Sequence, residues 1–435
     1  MRRALVLALL LAGVRLILPL GTPGQGGEVL VAFGLLILGA YTVGEIASAA
    51  RLPKIVGYLV AGLIFGPSVL GAVSAQSVER LQPVSQLAVS VIAFLAGAEL
   101  RWREVRVEGP ALLKIMAVEL AIGFVALFGV IFALRGSLPL LANEPTAGVL
   151  AFALLFASIA IVHSPAVTLA LLTETGARGP VARTVLGVVL LADVAVVLLF
   201  SAALPVARAL VPPVAATGGV SVFWEIGGAV LIGAVLGGGV AAYLRFVGKE
   251  LVLFAVLVAF FGVQIAELAH VELLLTMLTA GFVTENLSRH GEALRHAMER
   301  SAAPIFVVFF ALSGAHIEVG SVLPLLPFVL PIAAVRGLAI WVGTMLGGRW
   351  ARTPPPVRRV VWMGLISQAG VAIGLASVVA TAYGEAGRRL QVLLLSLIAV
   401  NETVGPVLFR RALQAGGELE PTGARPRRRA TAAAH

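Results

Sequence analysis

The chain contains no cysteine. That removes disulfides, thiolate metal sites and cysteine nucleophiles together. Charge is equally scarce: of 435 residues only 12% are Asp, Glu, Lys or Arg, while 59% are apolar. Soluble domains carry about 25% charged residues, and a water-exposed surface for a chain of this size needs them. A soluble enzyme, a disordered scaffold and a nucleic-acid binder are therefore poor readings. What charge there is runs to one sign, a net +10. In a membrane protein such an excess belongs in cytoplasmic loops against anionic lipid.

What is abundant is long apolar runs. A spanning helix needs roughly 20 mostly apolar residues. Such stretches read at about 4–20, 27–50, 54–72, 82–99, 110–135, 146–175, 182–206, 222–244, 250–267, 270–287, 302–316, 321–348, 359–383 and 389–410. They are long and continuous and lack period-2 alternation, which selects helices over a barrel. The expected fold class is an all-α polytopic membrane protein with about 13–14 transmembrane helices.

The basic residues test that reading. One set of loops and ends holds Arg2 and Arg3; Arg51 and Lys54; Arg101, Arg103, Arg106 and Lys114; Arg178 and Arg183; Arg245 and Lys249; Arg289, Arg295 and Arg300; Arg349, Arg352, Arg358 and Arg359; and the C-terminal arginines from Arg410 onward. The alternate loops hold only Arg80, Arg135, Arg208, Arg388 and Arg389. The asymmetry places both termini in the cytoplasm and the chain in the cell inner (plasma) membrane. Residues 1–26 form an extra N-terminal helix or a signal-like segment, since Met1-Arg2-Arg3 before an apolar run fits both. Residues 27–412 form the membrane domain, and 413–435 a short basic cytoplasmic tail expected to be disordered.

An ionisable group near the bilayer centre costs about 2.5–3.5 kcal/mol or more, so it is a functional candidate by default. Asp193 and Arg336 sit mid-span, Glu119 and Glu402 lie close to the centres of theirs, and His163 lies near the middle of 146–175. Arg15, Glu45, Glu99, Glu225 and Glu267 lie nearer span ends, where long side chains reach the interface. Each candidate also has a structural reading. Asp193 and Arg336 could be a static pair, Glu119 and Glu402 structural or water-facing acids and possible secondary proton groups, and His163 a hydrogen-bonded packing residue. Arg336 is a fixed charge.

Two spans are interrupted. In Ile161-Val-His-Ser-Pro-Ala-Val167, Pro165 removes an amide donor and frees a carbonyl. In Gly364-Leu-Ile-Ser-Gln-Ala-Gly-Val371, Ser367, Gln368 and Gly370 stand mid-span. Broken helices in both halves point to a transporter binding site between inverted repeats.

At these residues the chain resembles the bacterial monovalent cation/proton antiporters, in the branch of Kef-type potassium/proton and Nap-type sodium/proton exchangers. The resemblance covers about 30–412. Arg51-Leu-Pro-Lys-Ile-Val-Gly-Tyr-Leu-Val-Ala-Gly-Leu-Ile-Phe-Gly-Pro-Ser-Val-Leu-Gly71 is similar to the family's second-span signature, its most specific part. Phe94-Leu-Ala-Gly-Ala-Glu-Leu100, His163-Ser-Pro-Ala166, Ala303-Pro-Ile-Phe-Val-Val-Phe-Phe-Ala-Leu-Ser313 and Gly405-Pro406 follow in order. Asp193 falls at the family's transport aspartate and Arg336 at its fixed basic position. The resemblance implies an inverted-repeat antiporter fold with two crossed discontinuous helices, a homodimer and a core that moves against a second bundle. Ala192 stands where the family has Asp or Asn, His163 where it has Thr, and Ser367-Gln368-Ala369-Gly370 replaces its Arg-Gly-Glu.

The expected function is secondary active antiport of Na⁺ or K⁺ against H⁺, with no cofactor, no nucleic-acid partner and no enzyme activity. Asp193 is the shared proton/cation site, with Ser164, His163 and Gln368 beside it. With Arg336 permanently charged, the site carries the same charge holding a cation or a proton, so exchange is expected to be electroneutral. Two rivals stand beside this reading. One is a transport-inactive membrane sensor or scaffold derived from an antiporter. The other is a multi-pass enzyme acting on lipids, which would need clustered Asp, His or Glu at the membrane surface.

Overall fold

A computed structural model describes residues 25–138, 141, 144–214, 222–288, 291–368 and 371–419. The expected first span at 4–20, Arg15, Gly370 and the tail beyond 419 lie outside these, as does the side chain of Glu225. Every element among the described residues is helical. The helices are α1 Gln25–Ala49, α2 Lys54–Phe65, α3 Ala75–Arg80, α4 Gln82–Ala98, α5 Trp102–Ala133, α6 Thr146–Ala160, α7 Pro165–Thr175, α8 Pro180–Leu210, α9 Val222–Phe246, α10 Leu251–Ala269, α11 Leu273–Leu287, α12 Gly291–Ala315, α13 Val319–Val322, α14 Leu326–Trp350, α15 Pro355–Arg358 and α16 Val371–Ala415, with a 3₁₀ turn at Val361–Leu365 before the last.

Among the described residues, eight helical segments are long and apolar enough to cross a membrane, and four shorter apolar helices accompany them. The remaining expected spans each find their helical segment, with three differences. The 302–316 stretch is the apolar half of a longer helix that starts at Gly291. The 359–383 stretch is no single helix: it is the 3₁₀ turn, an irregular run at Ile366–Gln368, and then helix from Val371. The last two stretches are joined in α16, which bends at Gly384. There φ is 58° and ψ −125°, a conformation that glycine alone adopts without strain. The bend divides α16 into a first limb, 371–383, and a second limb, 385–415.

The helices sort into two bundles by what they touch. α1, α2, α4, α9, α10, α11 and α12 pack on one another; so do α5, α6, α7, α8, α14, the 3₁₀ turn and α16. Few contacts join the two sets, and α7 makes most of them, against α2, α4 and α12. The chain also repeats itself. Laid in order, α1, α2, α4, α5, α6–α7 and α8 correspond to α10, α11, α12, α14, the 3₁₀ turn with the first limb, and the second limb. Under that correspondence the α2–α12 pairing becomes α11–α4, and both pairings are made. The α5–α14 pairing maps onto itself. One crossing, α9, separates the repeats, so the second runs inverted.

Lipid tails are as apolar as leucine, so helix pairing in a bilayer rests on close packing of small residues. The two symmetric pairings show this. A Cβ on Gly97 would stand 1.8 Å from the Leu278 carbonyl oxygen, and one on Gly281 1.9 Å from that of Phe94. In the matching pair, Gly62 and Gly314 approach the Ala311 and Leu59 carbonyl oxygens as closely, at 1.9 and 2.0 Å. Gly97→Ala is expected to destabilise the protein by about 1–3 kcal/mol through overpacking. Gly238→Ala, on α9 with nothing within 4 Å of its added Cβ, is the neutral control. Thermal unfolding of the two variants in detergent checks this; equal melting temperatures would contradict the close α4–α11 crossing.

Candidate functional site

The first break begins where α6 stops at Ala160. Ile161–Ser164 leave the helix, and α7 restarts with Ser164 as N-cap and Pro165 in its first turn. The Ser164 hydroxyl accepts from the Val167 amide at 3.2 Å. Ser before Pro is a strong helix-start signal, because the serine oxygen takes an orphan amide and proline lacks one to orphan. The second break, Ile366–Gln368, lies in the other half of the repeat.

Both breaks leave carbonyls that a helix would have satisfied, and one side chain gathers them. Arg336, on α14 and 1% exposed, donates Nε to Ala160 O at 2.7 Å and Nη2 to Val162 O at 2.8 Å. Its Nη1 donates to Ile366 O, across in the second break, at 2.7 Å. The breaks also brace each other directly. His163 Nδ1 donates to Leu365 O at 2.7 Å, and Gln368 Nε2 donates to Ala160 O at 2.7 Å. Asn401, on the second limb, donates Nδ2 to Gln368 Oε1 at 2.7 Å.

His163 Nε2 lies 3.1 Å from Glu119 Oε2 on α5, both side chains buried. Because Nδ1 faces a carbonyl, which only accepts, Nδ1 carries a hydrogen. The contact to Glu119 then holds one proton, on the nitrogen or on the oxygen.

Asp193 stands apart from this network. It is on α8, 4% exposed, and neither carboxylate oxygen has a hydrogen-bond partner among the described residues. No ion pair joins it to Arg336 among the described residues; the static pair that the sequence left open is not formed. Ala192 beside it is fully buried and offers no polar atom. Other buried oxygens without a hydrogen-bond partner among the described residues include Glu119 Oε1, Ser367 Oγ and Glu402 Oε1. Ser367 is pressed against Gly405, where a Cβ would come within 2.0 Å of its Oγ.

A cavity of about 1150 Å³ opens between the two bundles. On α8 its lining runs from Arg208 down to Val197, one turn beyond Asp193. On the second limb it runs from Gln391 down to Glu402. The facing bundle contributes Glu267 and Glu272. The rim lies at the end of the bundle whose loops are poor in Lys and Arg.

The structure therefore gathers His163, Glu119, Arg336 and Gln368 into one network around Pro165, and leaves Asp193 and Glu402 outside it. Gln368 has both ends engaged in bracing. Asn401 is the residue that sequence reasoning missed; its signal was the polar pair Asn401-Glu402 inside an apolar span. Of the acids nearer span ends, Glu45 pairs with Lys54 and Glu99 with Arg295.

Comparison with known proteins bears on the family and the fold. The family model for the transmembrane sodium/hydrogen exchanger matches residues 33–414. A Na⁺/H⁺ antiporter, NhaP, of Pseudomonas aeruginosa is 30% identical over 296 residues, 62% of this chain and 68% of the relative. Two structures of the sodium proton antiporter MjNhaP1 of Methanocaldococcus jannaschii share the fold. One, determined at pH 8, superposes with a TM-score of 0.67 at 15% identity, covering 90% of this chain and 99% of the other. The second, an electron-microscopy structure, gives 0.69 at 16% identity, covering 89% and 98%.

The contrast between Arg336 and Asp193 is measurable. Arg336→Met leaves three buried carbonyls short of a donor and is expected to cost about 3–5 kcal/mol. Asp193→Asn removes a group that holds nothing in place and is expected to shift stability by less than about 1 kcal/mol. Unfolding of both variants in detergent decides; an Asp193→Asn loss as large as that of Arg336→Met would mean that Asp193 is a structural partner.

Proposed function

Because this chain belongs to the sodium/hydrogen exchanger family, we propose that it exchanges Na⁺ or K⁺ for H⁺ across the membrane, with the Asp193 carboxylate as the group that holds either ion in turn. The observation that carries this is the buried Asp193 side chain with both oxygens free, one turn from the floor of an open cavity. A carboxylate is acceptor-only when ionised and neutral when protonated, so it binds a proton or a cation but not both. Its hard oxygens suit Na⁺ and K⁺. Nonregular backbone at membrane depth is tolerated where it lines a cavity or is buried in protein, and the two braced breaks fit that rule.

Alternating access needs one end closed while the other is open. The cavity opens at the basic-poor end, which the charge asymmetry assigns to the outside. At the basic-rich end the bundles meet: the Lys54 amide that starts α2 donates to both carboxylate oxygens of Glu174 on α7, at 3.0 and 3.1 Å. This arrangement supports an outward-open state closed on the cytoplasmic side. Movement of the Asp193 bundle against the other would break the Glu174 contact and reverse the access. In this reading the bundle containing α2, α4 and α11 forms the homodimer contact, and the C-terminus is cytoplasmic in the plasma membrane.

Charge counting supports one-for-one exchange. Arg336 is held by carbonyls and keeps its charge throughout. In this reading the buried His163–Glu119 pair keeps one charge state through the cycle. Asp193 with a proton and Asp193 with a monovalent cation are alike, so the two loaded states carry the same charge across the membrane.

The test is proton flux in sealed proteoliposomes with an internal pH dye. Na⁺, K⁺ and Li⁺ are added in turn at zero potential. Cation-evoked proton movement is expected in the wild type and its loss in Asp193→Asn. An imposed potential at equal ion gradients is expected to drive no net turnover; turnover would refute the one-for-one stoichiometry. Silence for every ion in folded wild-type protein, at acid and alkaline pH, would favour the sensor reading instead.

A further inference from the structure

Glu402, like Asp193, is a buried carboxylate with an oxygen that lacks a partner among the described residues. We propose that it is a cation-capture site on the floor of the open cavity, which takes a monovalent cation from water before the ion reaches Asp193 and is not itself part of the coupled exchange. The inference rests on the antiport reading above and adds a second ion-binding group to it.

Three observations lead there. Glu402 lines the cavity, is 4% exposed and has Oε1 without a partner. The residue thus borders a space large enough for tens of waters at roughly 30 Å³ each, with its unpaired Oε1 buried just behind the cavity wall. Its backbone is fixed: Asn401 before it holds Gln368, and Gly405, one turn on, is packed against Ser367. The carboxylate is therefore set beside the second break by contacts that do not involve its own charge. Finally, Val197 on α8, which lines the same cavity, is four residues after Asp193, hence on the same face of α8 and one turn nearer the rim. An ion at the cavity floor has passed all of the α8 lining and lies at the level from which Asp193 is next.

The lining around it favours cations. Glu267, Glu272 and Glu318 line the upper cavity with His270, His316 and Arg208. Clefts that carry excess charge of one sign between low-dielectric walls concentrate the opposite ion. A buried carboxylate without a protein partner is unstable as a bare anion and is completed by a proton or a cation. Water in the cavity delivers both. Glu402 does not share Asp193's coupled role if its occupant is released before the bundle moves, and that condition makes the idea testable.

The experiment measures Na⁺-driven proton flux by the full chain in right-side-out and inverted membrane vesicles, with K⁺ in place of Na⁺ where K⁺ gives the larger flux. For Glu402→Gln, the KM for the cation added on the cavity side is expected to rise roughly 3- to 10-fold. The KM from the opposite side, the maximal rate to within about two-fold and the one-for-one stoichiometry are expected to persist, and Glu402→Asp to restore most of the affinity. An unchanged KM on the cavity side, an equal change on both sides, or loss of exchange at saturating cation in folded protein would each overturn the proposal. A second arm holds if the glutamine variant does not fold. The chain has no cysteine, so Glu402→Cys is a unique thiol. A small cationic methanethiosulfonate is expected to label it from the cavity side only, and Na⁺ to slow the labelling. Labelling from the other side, or labelling that Na⁺ does not slow, overturns capture. Retention of exchange by Asp193→Asn would sink the antiport reading instead, whatever Glu402 does.

Discussion

The guanidinium of Arg336 is the contact on which the rest of the site depends. Two helices stop inside the bilayer, and their terminal carbonyls have no water to turn to. The planar fork of arginine reaches three of them at once, at 2.7–2.8 Å, across both breaks. It also sets a positive charge at the carbonyl end of α6, where the helix dipole is negative. A lysine offers a single point of charge and no such fork. With the arginine committed to carbonyls, Asp193 is left without an ion-pair partner among the described residues, which is what the proposed exchange site requires.

The network around Arg336 is closed on itself. His163 from the first break holds a carbonyl of the second, and Gln368 from the second holds a carbonyl of the first. Glu119 and Asn401 anchor those two side chains from α5 and the second limb. The breaks are thereby a rigid unit rather than loose loops at membrane depth. In the proposed exchange it is the whole bundle containing them that moves. Within each bundle, helices approach at glycines until backbone meets backbone; between the bundles lie a cavity and few contacts. Tight packing within each and sparse packing between is the distribution that lets two bodies shift against each other without unpacking either.

The sequence carried the membrane class, most of the expected spans from 27–50 onward, the positions of both breaks and the buried charges. Each is written in local composition: long apolar runs, Ser164-Pro165 as a helix start, a charge where none is cheap. It was less informative about partners. Gln368 read as a ligand, and its side chain hydrogen-bonds Ala160 O and Asn401; Asn401 went unnoticed; a static Asp193–Arg336 pair stayed open and is not formed among the described residues. These residues lie on different helices, dozens of positions apart, and nothing in a linear pattern says which donor meets which carbonyl.

So the sequence by itself determined that this chain lives in a bilayer, where it breaks, and which side chains are too polar to be there without reason. The tertiary structure alone decided that Arg336 faces carbonyls and Asp193 faces none of them, and that Glu402 lies on a cavity. The physical reason is one of range. Apolar burial and helix termination are settled within a turn or two of chain, whereas satisfaction of a buried polar group depends on what the fold brings to it from elsewhere.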